Sequence, residues 1–162
     1  MEEKKEQSPV GKQKNIFEKV LNFHKEISEE TLMFKSLLPY LNSEGAYNNL
    51  RKVMEFFQDR VLAHFNWEET EVFPLALAVS DLEFKKVVRD LQQQHIVIIG
   101  KLDILNDIIM KHGFSFVSDK VKDDFIRTSR EMIEIMLQHS RTEDTEFYPF
   151  LKEKDIRITE IK

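Results

Sequence analysis

Two five-residue segments, His64-Phe65-Asn66-Trp67-Glu68 and His139-Ser140-Arg141-Thr142-Glu143, place a histidine and a glutamate four residues apart, and the second follows the first by 75 residues. The repeat runs on. Glu69-Thr70-Glu71-Val72-Phe73-Pro74 is matched in order and type by Asp144-Thr145-Glu146-Phe147-Tyr148-Pro149. On a helix, residues four apart share a face, one turn above the other. Each segment therefore offers an imidazole and a carboxylate in one direction. Two such pairs on converging helices point to a metal centre inside a helical bundle.

Four helical patterns position those pairs. The first runs from about Ile16 to Leu38, with Phe17, Val20, Ile27, Phe34 and Leu38 at three- and four-residue steps and His24 on the same stripe. Pro39 ends it, and Asn42-Ser43-Glu44-Gly45 forms a turn. The second runs from about Ala46 into the mid-70s, along Leu50, Val53, Phe57, Val61, His64, Glu68 and Leu75. Pro74 must kink or end it, because its ring clashes with the carbonyl of Thr70. Ser80-Asp81 supplies an N-cap for the third pattern, about Leu82 to Lys111, where Phe84, Val88, Leu91, Ile98, Leu102, Leu105 and Ile109 flank a central His95. His112-Gly113 closes it. The fourth runs from about Ser118 to Lys152, where Phe125, Met132, Ile135 and Met136 lead to His139 and Glu143, with Phe150 beyond. Four such helices with short connections predict an all-α fold, an up-down-up-down antiparallel four-helix bundle over residues 14–154. Residues 1–13 read as a flexible N-terminal segment and 155–162 as a loose C-terminal tail.

Six polar residues fall where the stripes call for buried apolar ones: His24, His64, Glu68, His95, His139 and Glu143. Burying an isolated carboxylate costs several kcal/mol, and a bound cation would compensate all six groups at once. The intervals between the histidines are 40, 31 and 44 residues. Each is an out-and-back path along antiparallel neighbours, so all four return to a similar height. His112 is 17 residues beyond His95, roughly 25 Å along a helix. It suits the helix C-terminal dipole and has no metal role. Of the acids beside the motifs, Glu69, Glu71, Asp144 and Glu146, most should project into solvent, with room for one to hydrogen-bond a ligand imidazole. Trp67 points away from His64 and Glu68 and packs.

A nitrogen and oxygen set without sulfur is unlike a thiolate-rich structural zinc site. Two metals, each with two histidines and sharing two bridging glutamates, use the six residues evenly and leave positions open for a small molecule. Iron is favoured and manganese is next. The Glu-x-x-His pattern of ferritin-like di-iron proteins is missing, as is the His-Glu-x-x-His motif of metalloproteases.

On these residues the chain resembles the hemerythrin-like (HHE cation-binding) family over residues 15–152. The carriers are His24, His64-x-x-x-Glu68 with Phe73-Pro74, His95, and His139-x-x-x-Glu143 with Tyr148-Pro149. The resemblance implies a four-helix bundle around two non-heme iron ions with an oxo or hydroxo bridge. His24 and His64 would bind one iron, His95 and His139 the other, and Glu68 and Glu143 would bridge them. The chain departs from the oxygen-carrying hemerythrins at Ile99, where those have a further histidine. Their fourth-helix acid is an aspartate five residues after the histidine, the place of Asp144 here, whereas Glu143 at four fits the repeat. The ligand set is more similar to the di-iron domain of the proteins for repair of iron centres, which respond to nitric oxide and oxidative stress. Their cysteine-containing domain has no counterpart in these residues.

Composition sets the outer limits. The chain has 162 residues, four glycines, four prolines and no cysteine, so disulfides and thiolate chemistry are excluded. A net charge of -5 gives no electrostatic reason to expect nucleic acid. No apolar run approaches the ~18 residues of a membrane span, and no signal peptide is visible. The expectation is a cytoplasmic protein whose di-iron centre reacts with O2, NO or peroxide with a redox partner, or releases iron for cluster repair. The alternatives are a reversible O2 or NO carrier or sensor, and a helical scaffold without functional metal.

Overall fold

The computed structural model describes residues 9–79, 81–113 and 118–159, and among them every regular element is helical. Helix α1 spans Pro9–Leu37 and passes into a short 3-10 turn, Leu38–Tyr40, at Pro39. Pro9 opens α1, a position where its missing N–H is no loss. The helix therefore reaches into the segment expected to be flexible, whose residues 1–8 lie outside the described residues. The second rod is composite: α2 Glu44–Phe56, a π turn Phe57–Val61, α3 Leu62–Trp67, a second π turn Glu68–Val72, and α4 Phe73–Val79. Next come α5, Leu82–His112, and α6, Asp119–Thr142. A third π turn, Glu143–Phe147, leads into α7, Tyr148–Glu153.

Side-chain caps fix where three of these rods begin. Ser43, Asp81 and Ser118 accept from the backbone N–H of Ala46, Phe84 and Val121 at 3.4, 2.9 and 3.3 Å. Ser80, also expected to cap, lies outside the described residues. Gly113 ends α5 with φ 65°, donating its N–H to Ile109 at 2.7 Å. That left-handed conformation is one glycine reaches without strain.

The rods form a closed ring of neighbours: α1 packs on α2 and α6, and α5 packs on α6 and α4. Two apolar layers fill the interior. One contains Ile27, Phe34, Leu50, Phe57, Leu102, Phe125 and Met132; the other contains Phe17, Val20, Val72, Phe73, Val88, Leu91 and Leu151. Chain order through these layers gives the topology. α1 and α5 run from the second layer to the first, while α2–α4 and α6–α7 run from the first to the second. This is the up-down-up-down bundle. On every rod a histidine lies between the two layers.

Neither Pro74 nor Pro149 stops its rod. Each is preceded by a π turn, in which the N–H of Phe73 reaches Glu68 O and that of Tyr148 reaches Glu143 O. The wider turn accommodates a residue without a backbone donor, and it shifts the helical phase by one residue. Leu75 and Phe150, seven residues after Glu68 and Glu143, would face the core of a regular helix. Instead Leu75 is 40 % exposed and Phe150 only partly buried, while Ala76 and Leu151, one residue later, are fully buried.

The C-terminal segment is not loose where it is described. Ile158 is buried, and its backbone O and N exchange two hydrogen bonds with the Gln13 side chain at 2.7 and 3.2 Å. Trp67 Nε1 donates to Thr159 O at 3.0 Å. The alternating isoleucines read as a polar tail because no helical period marks them; Ile156 and Ile158 dock as a strap against the second apolar layer.

Candidate metal centre

The six predicted residues meet in the layer between the two apolar clusters, and none is more than 2 % exposed. His24 comes from α1, His64 from α3, His95 from α5 and His139 from α6. Glu68 and Glu143 open the second and third π turns. Each four-residue step keeps its histidine and glutamate on one face before the phase shifts.

All four imidazoles turn Nε2 inward. His24 Nε2 and His64 Nε2 are 3.0 Å apart, as are His95 Nε2 and His139 Nε2. Each carboxylate spans both pairs. Glu68 presents Oε1 to His64 at 3.2 Å and Oε2 to His95 at 3.4 Å. Glu143 presents Oε2 to His24 at 3.4 Å and Oε1 to His139 at 3.1 Å. The result is two groups of four donors, His24, His64, Glu68 and Glu143, and Glu68, His95, His139 and Glu143, each with its atoms within 4.8 Å of one another. Donors about 2.1 Å from a common ion lie about 3.0 Å apart at right angles and about 3.4 Å apart at the tetrahedral angle. The observed spacings fall in that range.

The outer imidazole nitrogens are held less evenly. His24 Nδ1 meets Asp144 Oδ1 at 2.6 Å, His95 Nδ1 meets Glu69 Oε1 at 2.8 Å, and His139 Nδ1 meets Gln94 Oε1 at 3.1 Å. Gln92 Nε2 donates to the other oxygen of Glu69 at 2.7 Å. Such contacts orient a ligand imidazole and fix its tautomer. Both Glu69 and Asp144 do this, where one acid was expected; their matching places in the repeat were the available signal. Glu143 faces the cluster and Asp144 backs it, which settles which acid of the fourth helix turns inward. Gln94 and the Tyr148 hydroxyl carried no signal in the sequence. Tyr148 Oη donates to Glu68 Oε1 at 2.5 Å. Aromatic rings wall the cluster: Phe65 and Phe73 both stack on His95, at 3.9 and 5.5 Å, and Phe23 and Tyr148 abut His64 and His24 at 5.0 and 5.5 Å. Trp67 is buried and 5.6 Å from the His64 ring, closer to the centre than its sequence neighbours implied.

The buried carboxylates and imidazoles of this layer perturb one another strongly. Burial drives Glu68 upward, yet His64 and His95 outweigh it and hold the carboxyl well below the usual range. Burial and the charge of Glu68 push Glu143 well above that range. Burial lowers His24, but Glu143, Asp144 and Glu68 together raise it to about 9. Burial and the neighbouring His95 depress His139 to about 3. Four buried side-chain nitrogen or oxygen atoms among the described residues lack a hydrogen-bond partner, and two of them are Glu68 Oε2 and Glu143 Oε1. Both are oxygens that face the second group of four donors. Orphaned carboxylate oxygens converging with imidazole nitrogens fit divalent cations.

No helix among the described residues is long and apolar enough to cross a membrane. A family model of the hemerythrin HHE cation-binding domain matches residues 15–151. No curated protein and no solved structure matches the chain significantly.

Proposed function

The chain belongs to the hemerythrin HHE cation-binding domain family, and we propose that its six-residue cluster holds two iron ions and reacts with O2, nitric oxide or peroxide. The observation that carries this reading is the sharing of both carboxylates. Glu68 and Glu143 each direct one oxygen to the His24–His64 pair and the other to the His95–His139 pair. Four protein donors per position leave coordination room for a small molecule in six-coordinate geometry. Iron is preferred over manganese because imidazole-rich sites suit it. Bound iron would supply electrons to a small oxidant or take up nitric oxide directly.

The chain's own groups set the conditions. The buried Phe65, Phe73 and Tyr148 rings shield the cluster from bulk water. Asp144, Glu69 and Gln94 hold three of the imidazoles in register. The buried Tyr148 hydroxyl is a fixed donor at the edge of the cluster. A role in nitrosative or oxidative stress, or in the repair of iron centres, rests on the ligand set of two histidines per position and on Ile99 in α5. In this reading a separate protein supplies electrons, and the cysteine-free chain works in the reducing cytoplasm.

A second reading, a reversible O2 or NO carrier or sensor, draws on the near-complete burial of all six side chains, which shields a bound ligand from water. One experiment separates the two. Iron is quantified, and optical spectra are recorded for the oxidised, reduced and NO-treated protein with and without an external electron donor. Repeated consumption of peroxide or NO supports the reactive centre. An adduct that forms stoichiometrically and reverses on degassing supports the carrier. A chain purified and reconstituted with no iron refutes both.

A further inference from the structure

The two halves of the centre are related by the repeat, and they differ at one outer nitrogen. Gln94, the residue before His95, gives its carboxamide oxygen to His139 Nδ1 at 3.1 Å. The corresponding residue before His24 is Phe23, whose ring abuts His64 at 5.0 Å. His64 Nδ1 is consequently buried with no hydrogen-bond partner. Three of the four outer nitrogens thus meet a carboxylate or carboxamide oxygen, and the fourth meets none.

That fourth imidazole lines a groove of about 380 Å³, within the usual range for small-molecule sites. Its lining includes Phe23 and Trp67, together with Lys19, Asp59 and Arg60. Nε2 of His64 is directed at His24 and Glu68, and Nδ1 lies on the opposite edge of the ring, buried. The Arg60 guanidinium lies over the Phe23 ring at 4.9 Å and pairs with Glu26, a contact that uses part of its five donors.

We propose that this groove binds a small carboxylic acid with an apolar body, its carboxylate accepting from His64 Nδ1 beside Arg60 as the half-buried Phe23 ring turns aside. An acceptor oxygen follows from the pattern around the centre, where His24 and His95 each meet a carboxylate, at 2.6 and 2.8 Å, and His139 a carboxamide; Arg60 and Lys19 in the groove lining favour the charged carboxylate. The apolar body follows from the aromatic walls. The inference rests on the cation reading, because an imidazole that ligates through Nε2 carries its proton on Nδ1 and is a donor there. The bound acid would complete the outer support of His64 and so couple a metabolite's presence to the properties of the metal position.

Trp67 is the single tryptophan of the chain and lines the groove, so its emission reports occupancy. The full chain is loaded with zinc, a colourless stand-in, its metal content is measured, and it is titrated with benzoate and with benzyl alcohol. A saturable change is expected for benzoate, with benzyl alcohol at least about tenfold weaker. Phe23→Gln places a carboxamide where Gln94 stands in the other half, so benzoate should weaken by about tenfold or more while helicity and zinc content hold. Arg60→Gln should also weaken benzoate. Equal binding of the alcohol, or benzoate binding unchanged in Phe23→Gln, overturns the proposal. A metal-loaded chain that gives no saturable response overturns it alone. A chain that takes up no metal overturns the cation reading with it.

Discussion

The Tyr148 hydroxyl donates to Glu68 Oε1 across 2.5 Å, in a position where the other half of the repeat has Phe73 and no hydroxyl. The bond is buried and joins α7 to the π turn that follows α3. It draws charge from the carboxylate oxygen that faces His64, so Glu68 and Glu143 are unequal carboxylates. Tyr148→Phe should fold, because a phenylalanine ring already occupies the equivalent place. Losing a buried hydrogen bond to a charged group costs about 1.5–3 kcal/mol. A lowered thermal midpoint together with a shifted visible spectrum of the iron-loaded chain is expected. A spectrum and midpoint identical to those of the parent would show that the hydroxyl does not act on Glu68.

The sharing of Glu68 and Glu143 gives a prediction about stoichiometry. Glu68→Ala and Glu143→Ala each remove a donor from both groups of four, whereas His139→Ala removes one from a single group. The glutamate variants should hold less than about one metal per chain, and His139→Ala should keep on the order of one. Elemental analysis after reconstitution reads this directly. Full metal content in either glutamate variant would refute bridging.

The metal-free chain should lose stability as pH rises. His24 is raised from 6.5 to about 9 in the fold, and His95 is also raised; burial lowers both, and the surrounding carboxylates win. A raised histidine contributes stability fully below the unfolded value of 6.5, and that contribution is lost as pH climbs through about 9. His64 and His139 are lowered, so above 6.5 they are neutral in both states and add nothing. Thermal melts of the stripped chain should therefore show the midpoint falling from pH 6.5 to 9. The metal-loaded chain lacks this limb, because the cations take the place of the protons. A stripped chain equally stable at both pH values would show that His24 is not held protonated.

The docked C-terminal strap gives a packing prediction. Ile158 is 1 % exposed and belongs to the second apolar layer. Ile158→Ala should cost about 2–5 kcal/mol, and the freed strap should release Trp67 Nε1 from Thr159, which red-shifts Trp67 emission. An unchanged midpoint and emission would mean that the strap adds nothing to the fold.

Much of this was legible in the sequence, for a physical reason. A buried ligand must lie on an apolar stripe, so periodicity located His24, His64, Glu68, His95, His139 and Glu143 at once. The antiparallel return paths between the histidines then set a common height, which is where the layer lies. What periodicity could not show were contacts made sideways from that layer. Glu69 and Asp144 are a third or more exposed and look like solvated acids until their partners on α5 and α1 are known. Gln94 and Tyr148 act across 45 and 80 residues with ordinary local patterns. The strap at Ile158 carries no signal in the sequence, because a non-helical segment docked by Gln13 and Trp67 leaves no helical signature.

The two prolines give the last prediction. A regular helix would bury Leu75 and Phe150; the π turns bury Ala76 and Leu151 instead. The phase shift is therefore testable by exchanging chemistry at adjacent positions. Leu75→Ser, at a site 40 % exposed, should change stability by about 0.5 kcal/mol or less. Ala76→Ser should cost more despite its smaller change in size, because Ala76 is wholly buried and the new hydroxyl needs a partner, at about 1–3 kcal/mol. Leu151→Ala should cost about 2–5 kcal/mol through the cavity it leaves. Chemical denaturation of the three variants ranks them. If Leu75→Ser is the most damaging of them, the rods continue as regular helices through Pro74, and the π turns that set the two glutamates are not there.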